Sequence, residues 1–328
     1  MKEENRCLWM IKGIACLIVI LFHCPIPTAI GDAIIYGLRF PIPIFLMISG
    51  YFSVGKESSF LKSAFKTIKL LFFGELISLL VLEALFLTGL SHTNPISILQ
   101  QINWAKTIFY GSIFNGTLWY LYAMFWTWIL FFVVSKLKHG FTILQYLTIP
   151  LLALHIGGRM YITINFDINQ SVFLFRSTIL FAVPFMMIGR IIAEKKDIIL
   201  HKTIDLHILM IMALGLSLIV IEYILWHQFM DLQVSTIFVS LSMFLFAVKH
   251  PTFNPLPILT SIGYISQYVY IFHLPIIVLA QALLNTAYPN NYQVFLPYVV
   301  ILMTVSFSFL YNGTIKKVFV QKRTTKET

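Results

Sequence analysis

This chain predicts an all-α, polytopic membrane bundle of about ten helices, and three observations lead there. First, its 328 residues are 59% hydrophobic and only 11% charged, whereas soluble domains carry about 25% charged residues. Mean hydropathy is +0.85. Second, apolar stretches recur at 8–24, 39–54, 68–88, 117–135, 141–156, 172–193, 204–226, 234–248, 262–284 and 295–315. Most are near the roughly 17–25 residues a helix needs to cross the hydrocarbon, and the fifth and eighth are short. Third, the basic residues are lopsided. With the N-terminus in the cytoplasm and strict alternation, only Arg39, Lys106, Arg159 and Arg176 of the 23 lysines and arginines fall outside. Both termini are therefore expected in the cytoplasm. The net charge of +10 follows from that bias and from attraction to anionic lipid, so no nucleic-acid partner is expected.

The first stretch carries the most informative pair. Lys12 and His23 stand eleven residues apart in an otherwise apolar helix. Ionisable groups in such a segment are costly and point to function. Eleven steps leave the two side chains within about 20° around the helix but about 16 Å apart along it. Pro25 and Pro27 follow, so His23 belongs to the last helical turn. A structural reading competes: Lys12 snorkels to one interface and His23 is a polar residue at the other.

The second stretch reads Arg39 to Phe52, with Pro41 and Pro43 near its outer end. An irregular start of that kind is tolerated at membrane depth only inside protein or along a cavity. Ser49-Gly50 permits close helix approach. Arg39 is a cation just before this start, suited to a carboxylate, an anionic acceptor or a lipid headgroup. The third stretch opens with Lys66 and Lys69, read as one face at the cytoplasmic end. These two are either ordinary positive-inside residues or a phosphate clamp. Glu75, Glu83 and Glu222 lie deeper, where carboxylates face other helices or water, and pairing with Lys12 or His23 is open. The connection 89–116 contains Trp104, Lys106, Phe109 and Tyr110 and is expected along the interface. The fourth stretch begins Thr117-Leu118-Trp119-Tyr120-Leu121-Tyr122, by default an aromatic belt. The ninth places His273 near mid-membrane beside Pro275.

Neither a cleaved signal peptide nor a lipoprotein site is expected, because bulky Leu21-Phe22-His23-Cys24 stands where small residues are needed. The three cysteines, Cys7, Cys16 and Cys24, all lie in the first stretch and offer no disulfide framework and no metal site. One integral-membrane domain, 1–328, with a basic cytoplasmic tail from about 316, is the expected organisation.

The residues just quoted resemble, in order, the motifs of the acyltransferase-3 family of integral-membrane O-acyltransferases. Lys12 and His23 match its basic-x10-His signature, and Arg39 to Tyr51 looks like its Pro-x-Phe-x-x-x-Ser-Gly-Tyr second helix. Lys66-x-x-Lys69 is similar to its paired-basic motif, and Leu118 to Leu121 to the start of its next helix. Phe181 to Gly189 resembles its Phe-rich sixth helix, and Tyr268 to Pro275 its Tyr-x-x-Tyr-x-x-His-x-Pro segment. Lysines replace the common arginines at the clamp, which keeps the charge but loses the bidentate fork. The acidic residue often found early in the first helix is missing, since Trp9 and Met10 stand there.

The resemblance implies transfer of an acyl group, usually acetyl, from cytosolic acetyl-CoA to a hydroxyl of a cell-envelope glycan. The setting it implies is multi-pass in a bacterial plasma membrane. Lys66 and Lys69 would hold the CoA phosphates, and His23 and Lys12 would be the catalytic residues, with the pantetheine arm threaded past Lys12. His23 would act as general base or as a transient acyl-imidazole. Arg39, Ser49, Glu75, Trp119, Tyr122 and His273 are candidates for substrate contact or support. The acceptor, polymeric or lipid-linked, is left open, as is the oligomeric state. A transporter also builds sites from broken helices and intramembrane charges, but the chain shows no convincing internal repeat. A non-catalytic sensor of the same fold is the remaining rival.

Overall fold

The computed structural model describes residues 5–111, 113–165, 175–226 and 232–324. Lys2, Lys326 and residues 172–174 of the sixth stretch lie outside the described residues, as do the side chains of Lys106 and of 315–324. Every regular element among the described residues is helical. Among the described residues, eight helical segments are long and apolar enough to cross a membrane.

The long elements are α1 (Arg6–His23), α2 (Ala29–Gly37), α3 (Pro41–Tyr51), α4 (Phe60–Leu87), α5 (Trp119–Val134) and α6 (Gly140–Asn165). They continue with α7 (Val183–Glu194), α8 (Asp205–Trp226), α9 (Val234–Lys249), α10 (Pro257–Tyr264), α11 (Ser266–Ala287) and α12 (Tyr292–Thr324). The end of the bundle where α1 begins is called proximal below, and the end where it stops is called distal.

Several boundaries differ from the sequence expectation. The third helix starts at Phe60 rather than 68, so Lys66 and Lys69 are helical residues. The fifth stretch becomes a 26-residue helix, because polar residues after 156 continue a helix that hydropathy alone would end. The sixth splits into a π turn, Thr178–Ala182, and the 12-residue α7. The eighth stays short at 16 residues. The connection after α4 holds two short helices, Pro95–Gln100 and Trp104–Tyr110.

Two backbone crossings hold the centre together. A Cβ on Gly13 would sit 1.9 Å from the Leu259 carbonyl oxygen, and one on Gly263 would sit 1.9 Å from that of Trp9. The α1–α10 contact is thus reciprocal and made backbone to backbone. The α3–α7 contact repeats the device, with Gly50 against Met186 and Gly189 against Met47. Small residues permit this approach, which favours close van der Waals packing where no hydrophobic effect drives helices together.

Polar side chains fasten the ends. Asn5 accepts from the Leu8 N–H at 2.8 Å and donates to the Ala247 carbonyl at 2.8 Å, capping α1 and tying it to α9. At the proximal end Arg190 bonds Glu57 and Glu194, both at 2.8 Å, and lies 3.8 Å from the Phe141 ring centre. α8 leaves most of its apolar side chains exposed, among them Leu209, Met210 and Ile224, as a lipid-facing helix does.

Candidate active site

The buried carboxylates support the backbone and leave both Lys12 and His23 without them. Glu75 on α4 accepts from the Ile113 and Phe114 N–H groups at 2.9 and 2.8 Å. One turn on, Ser78 accepts from the Asn115 amide at 3.1 Å. The Asn115 side-chain oxygen caps the turn Gly116–Leu118, which leads into α5. Glu75 therefore fixes the segment from which Trp119 projects, and Tyr122 is buried near it. Glu222 likewise accepts from the Val234 N–H at 2.7 Å and caps α9, where the helix dipole favours a negative charge.

A cavity of 280 Å³ opens between α1, α3, α4, α5 and α11, just below the usual size of ligand clefts, about 300 Å³ and more. Lys12 and Lys66 both line it, with Ser63 and Thr67 beside Lys66. Two ammonium groups bordering one small cavity repel each other, and an anion between them would relieve that repulsion. Lys69, expected on the same face, is exposed and does not line the cavity. Lys12 also lies over the Trp9 ring, 4.8 Å from its centre.

The distal part of the cavity is aromatic. Ser49, Phe45, Tyr120 and Tyr270 line it, with the two tyrosine rings edge to face at 5.4 Å. Ser49 bonds the Phe45 carbonyl at 2.9 Å and contacts the Met124 sulfur at 3.8 Å. Tyr270 donates its hydroxyl to the Thr117 carbonyl, joining α11 to the turn before α5. Beyond these rings lies a crevice too tight for a water molecule, lined by Cys16, Val19, Ile20, Phe45, Val269, Tyr270 and His273. Phe45 and Tyr270 thus belong to both spaces.

His23 and His273 meet at the end of this route. Their ring centres are 5.3 Å apart and their planes are tilted by 39°. His23 is exposed at the distal end, and His273 is completely buried. The expected separation in depth is corrected here. α11 starts at Ser266, whose carbonyl meets the Cys16 sulfur at 3.9 Å, so seven residues along each helix bring 273 and 23 level. The Nδ1 of His273 is 2.5 Å from the Tyr270 carbonyl oxygen. A carbonyl only accepts, so Nδ1 carries the proton and Nε2 holds a lone pair. That Nε2 is buried and has no hydrogen-bond partner among the described residues.

Two cations surround the pair. The Arg39 guanidinium lies over the Phe22 ring at 4.9 Å, and that of Arg176 over the Trp119 ring at 5.5 Å. Both bring positive charge within electrostatic reach of His23. Arg176, Tyr120 and Tyr270 did not stand out in the sequence as site residues. Arg176 was legible only as one of four outer cations, Tyr120 only as an interface aromatic, and Tyr270 only as part of the ninth stretch.

The arrangement has a cavity bordered by two lysines, an aromatic stretch and an imidazole at an exposed end. Lys12, Lys66, Ser49, His23 and His273 are brought onto one route, Arg39 and Trp119 border its distal end, and Lys69, Glu75 and Tyr122 stand off it. No curated protein and no solved structure matches the chain. An acyltransferase domain model matches residues 5–311, nearly the whole length and all the residues of this route, and the chain belongs to the acyltransferase-3 family.

Proposed function

We propose that this membrane acyltransferase moves an acyl group, acetyl in the simplest case, from cytosolic acyl-CoA to a hydroxyl of a cell-envelope glycan. The observation that carries this reading is the succession of the Lys12–Lys66 cavity, the crevice that shares Phe45 and Tyr270 with it, and the His23–His273 pair. With the proximal end in the cytoplasm, the two lysines face the compartment that holds CoA, and His23 faces the one that holds the glycan. CoA phosphates between Lys12 and Lys66 relieve the repulsion of the two ammonium groups. The pantetheine arm then follows the aromatic passage between Tyr120, Phe45 and Tyr270.

His23 is the group the acceptor meets. It takes the hydroxyl proton as the oxygen attacks the thioester carbon, or it first accepts the acyl group itself. Arg39 and Arg176 stabilise the negative charge that develops on the carbonyl oxygen in either route. The tight crevice below His273 excludes water, which protects the thioester from hydrolysis.

The test is transfer of radiolabelled acetyl from acetyl-CoA into envelope glycan by the purified chain in lipid vesicles. Label in the glycan supports the proposal. Label that stays on CoA, or crosses the bilayer with no new ester, overturns it and favours a transporter. Label held on the protein when acceptor is withheld marks the acyl-imidazole route, and its absence marks direct transfer.

A further inference from the structure

The two histidines differ in what they face. His23 is exposed at the distal end, and the crevice that continues the donor passage is lined by His273 and not by His23. His273 shares that crevice with Phe45 and Tyr270, which also line the lysine cavity. Its Nδ1 is tied to the Tyr270 carbonyl, which fixes the ring and leaves Nε2 as the group available for chemistry. Buried polar atoms are nearly always satisfied, so an unpartnered imidazole nitrogen at 0% exposure needs an explanation.

We infer that His273 is a second catalytic residue, the acid that protonates the departing donor sulfur, while His23 serves the acceptor. The inference rests on the transferase reading above. The acceptor oxygen bonds to the acyl carbon, and its proton goes to a ring nitrogen of His23. The exposed His23 ring, whose centre is 5.3 Å from that of His273, turns to bring its other nitrogen to Nε2 of His273 and passes its proton there. The C–S bond then breaks with its electron pair on sulfur, and the sulfur takes the Nε2 proton. Both rings end neutral, and one proton has moved from oxygen to sulfur. In the acyl-imidazole route His23 attacks instead, and its own N–H proton follows the same path. A thiolate released against this apolar crevice, away from water, is strongly disfavoured, which is why the acid is needed on this side.

His273→Gln and His23→Gln in the full-length chain test this against two acetyl donors, with the envelope fraction as acceptor. One donor is acetyl-CoA. The other is the acetyl thioester of 4-nitrothiophenol, whose thiolate leaves without a proton. His273→Gln is expected to bind acetyl-CoA as wild type does, and to lose transfer from it by about 10²-fold, the scale of one positioned acid. It should lose far less with the aryl thioester, whereas His23→Gln should lose both. Equal losses of His273→Gln on both donors, or a fall in acetyl-CoA affinity that matches the fall in transfer, overturn the assignment and leave His273 a structural residue. So does unchanged transfer from acetyl-CoA. If wild type does not turn over the aryl donor, the split between acetyl-CoA binding and turnover decides alone. A wild-type protein that transfers no label sinks the transferase reading, whereas an active wild type with a fully active His273→Gln sinks only this one.

Discussion

At the scale of single residues, His23 should matter to chemistry and little to folding, because it is exposed in the last turn of α1. His23→Ala should insert, express and bind acetyl-CoA normally while losing glycan acylation by about 10²-fold or more. Lys12→Ala should differ, raising the donor concentration needed, since Lys12 lines the cavity about three helical turns from His23. The two lysines of α4 separate in the same way. Lys66→Ala should weaken acetyl-CoA binding by about tenfold, the loss of one charge-assisted contact of about 1.4 kcal/mol. The effect should be largest at low salt. Lys69→Ala should leave affinity within about twofold, because Lys69 stands outside the cavity. Equal effects of the two, read by titration calorimetry, would return both to positive-inside composition. Lys12 and His23 were legible in the sequence because charge in an apolar helix is conspicuous. Glu75 was equally conspicuous and its role was not legible. What it binds are the N–H groups of Ile113 and Phe114, and no local pattern shows which backbone groups a fold leaves unbonded.

At the scale of elements, the site depends on two reciprocal glycine crossings. Gly13→Ala drives a methyl group into the Leu259 carbonyl, and Gly189→Ala drives one into that of Met47. Backbone cannot swing aside as a side chain does, so each substitution should cost about 1–3 kcal/mol and lower Tm in detergent. Gly157→Ala is the control, because a Cβ there meets nothing within 4 Å; it should be neutral or slightly stabilising in a helix. A Gly13→Ala protein as stable as Gly157→Ala would mean that α1 and α10 do not approach as closely as described. Hydropathy located these helices but not their contacts. It also missed the break at Ile265 between α10 and α11, since an apolar run reads the same whether one helix or two cross it. That break sets the level at which α11 begins, and hence puts His273 beside His23 when the sequence suggested different depths.

At the scale of the whole molecule, function depends on which side of the membrane each end of α1 faces. The 18 residues of α1 extend about 27 Å, close to the roughly 30 Å hydrocarbon thickness, so its two ends reach opposite surfaces. The distribution of lysines and arginines predicts that the proximal end faces the cytoplasm. Single cysteines at Lys322 and at His92, which is exposed after α4, test this in intact cells with an impermeant thiol reagent. Background labelling is low because Cys7, Cys16 and Cys24 are all buried. Lys322→Cys should be protected until the membrane is permeabilised, and His92→Cys should react at once. The reverse pattern in sealed cells, Lys322→Cys labelled and His92→Cys protected, would put the Lys12–Lys66 cavity on the side that has no acyl-CoA. The phosphate site, the direction of transfer and the division of labour between the two histidines would then fall together, because each depends on the donor entering at the proximal end.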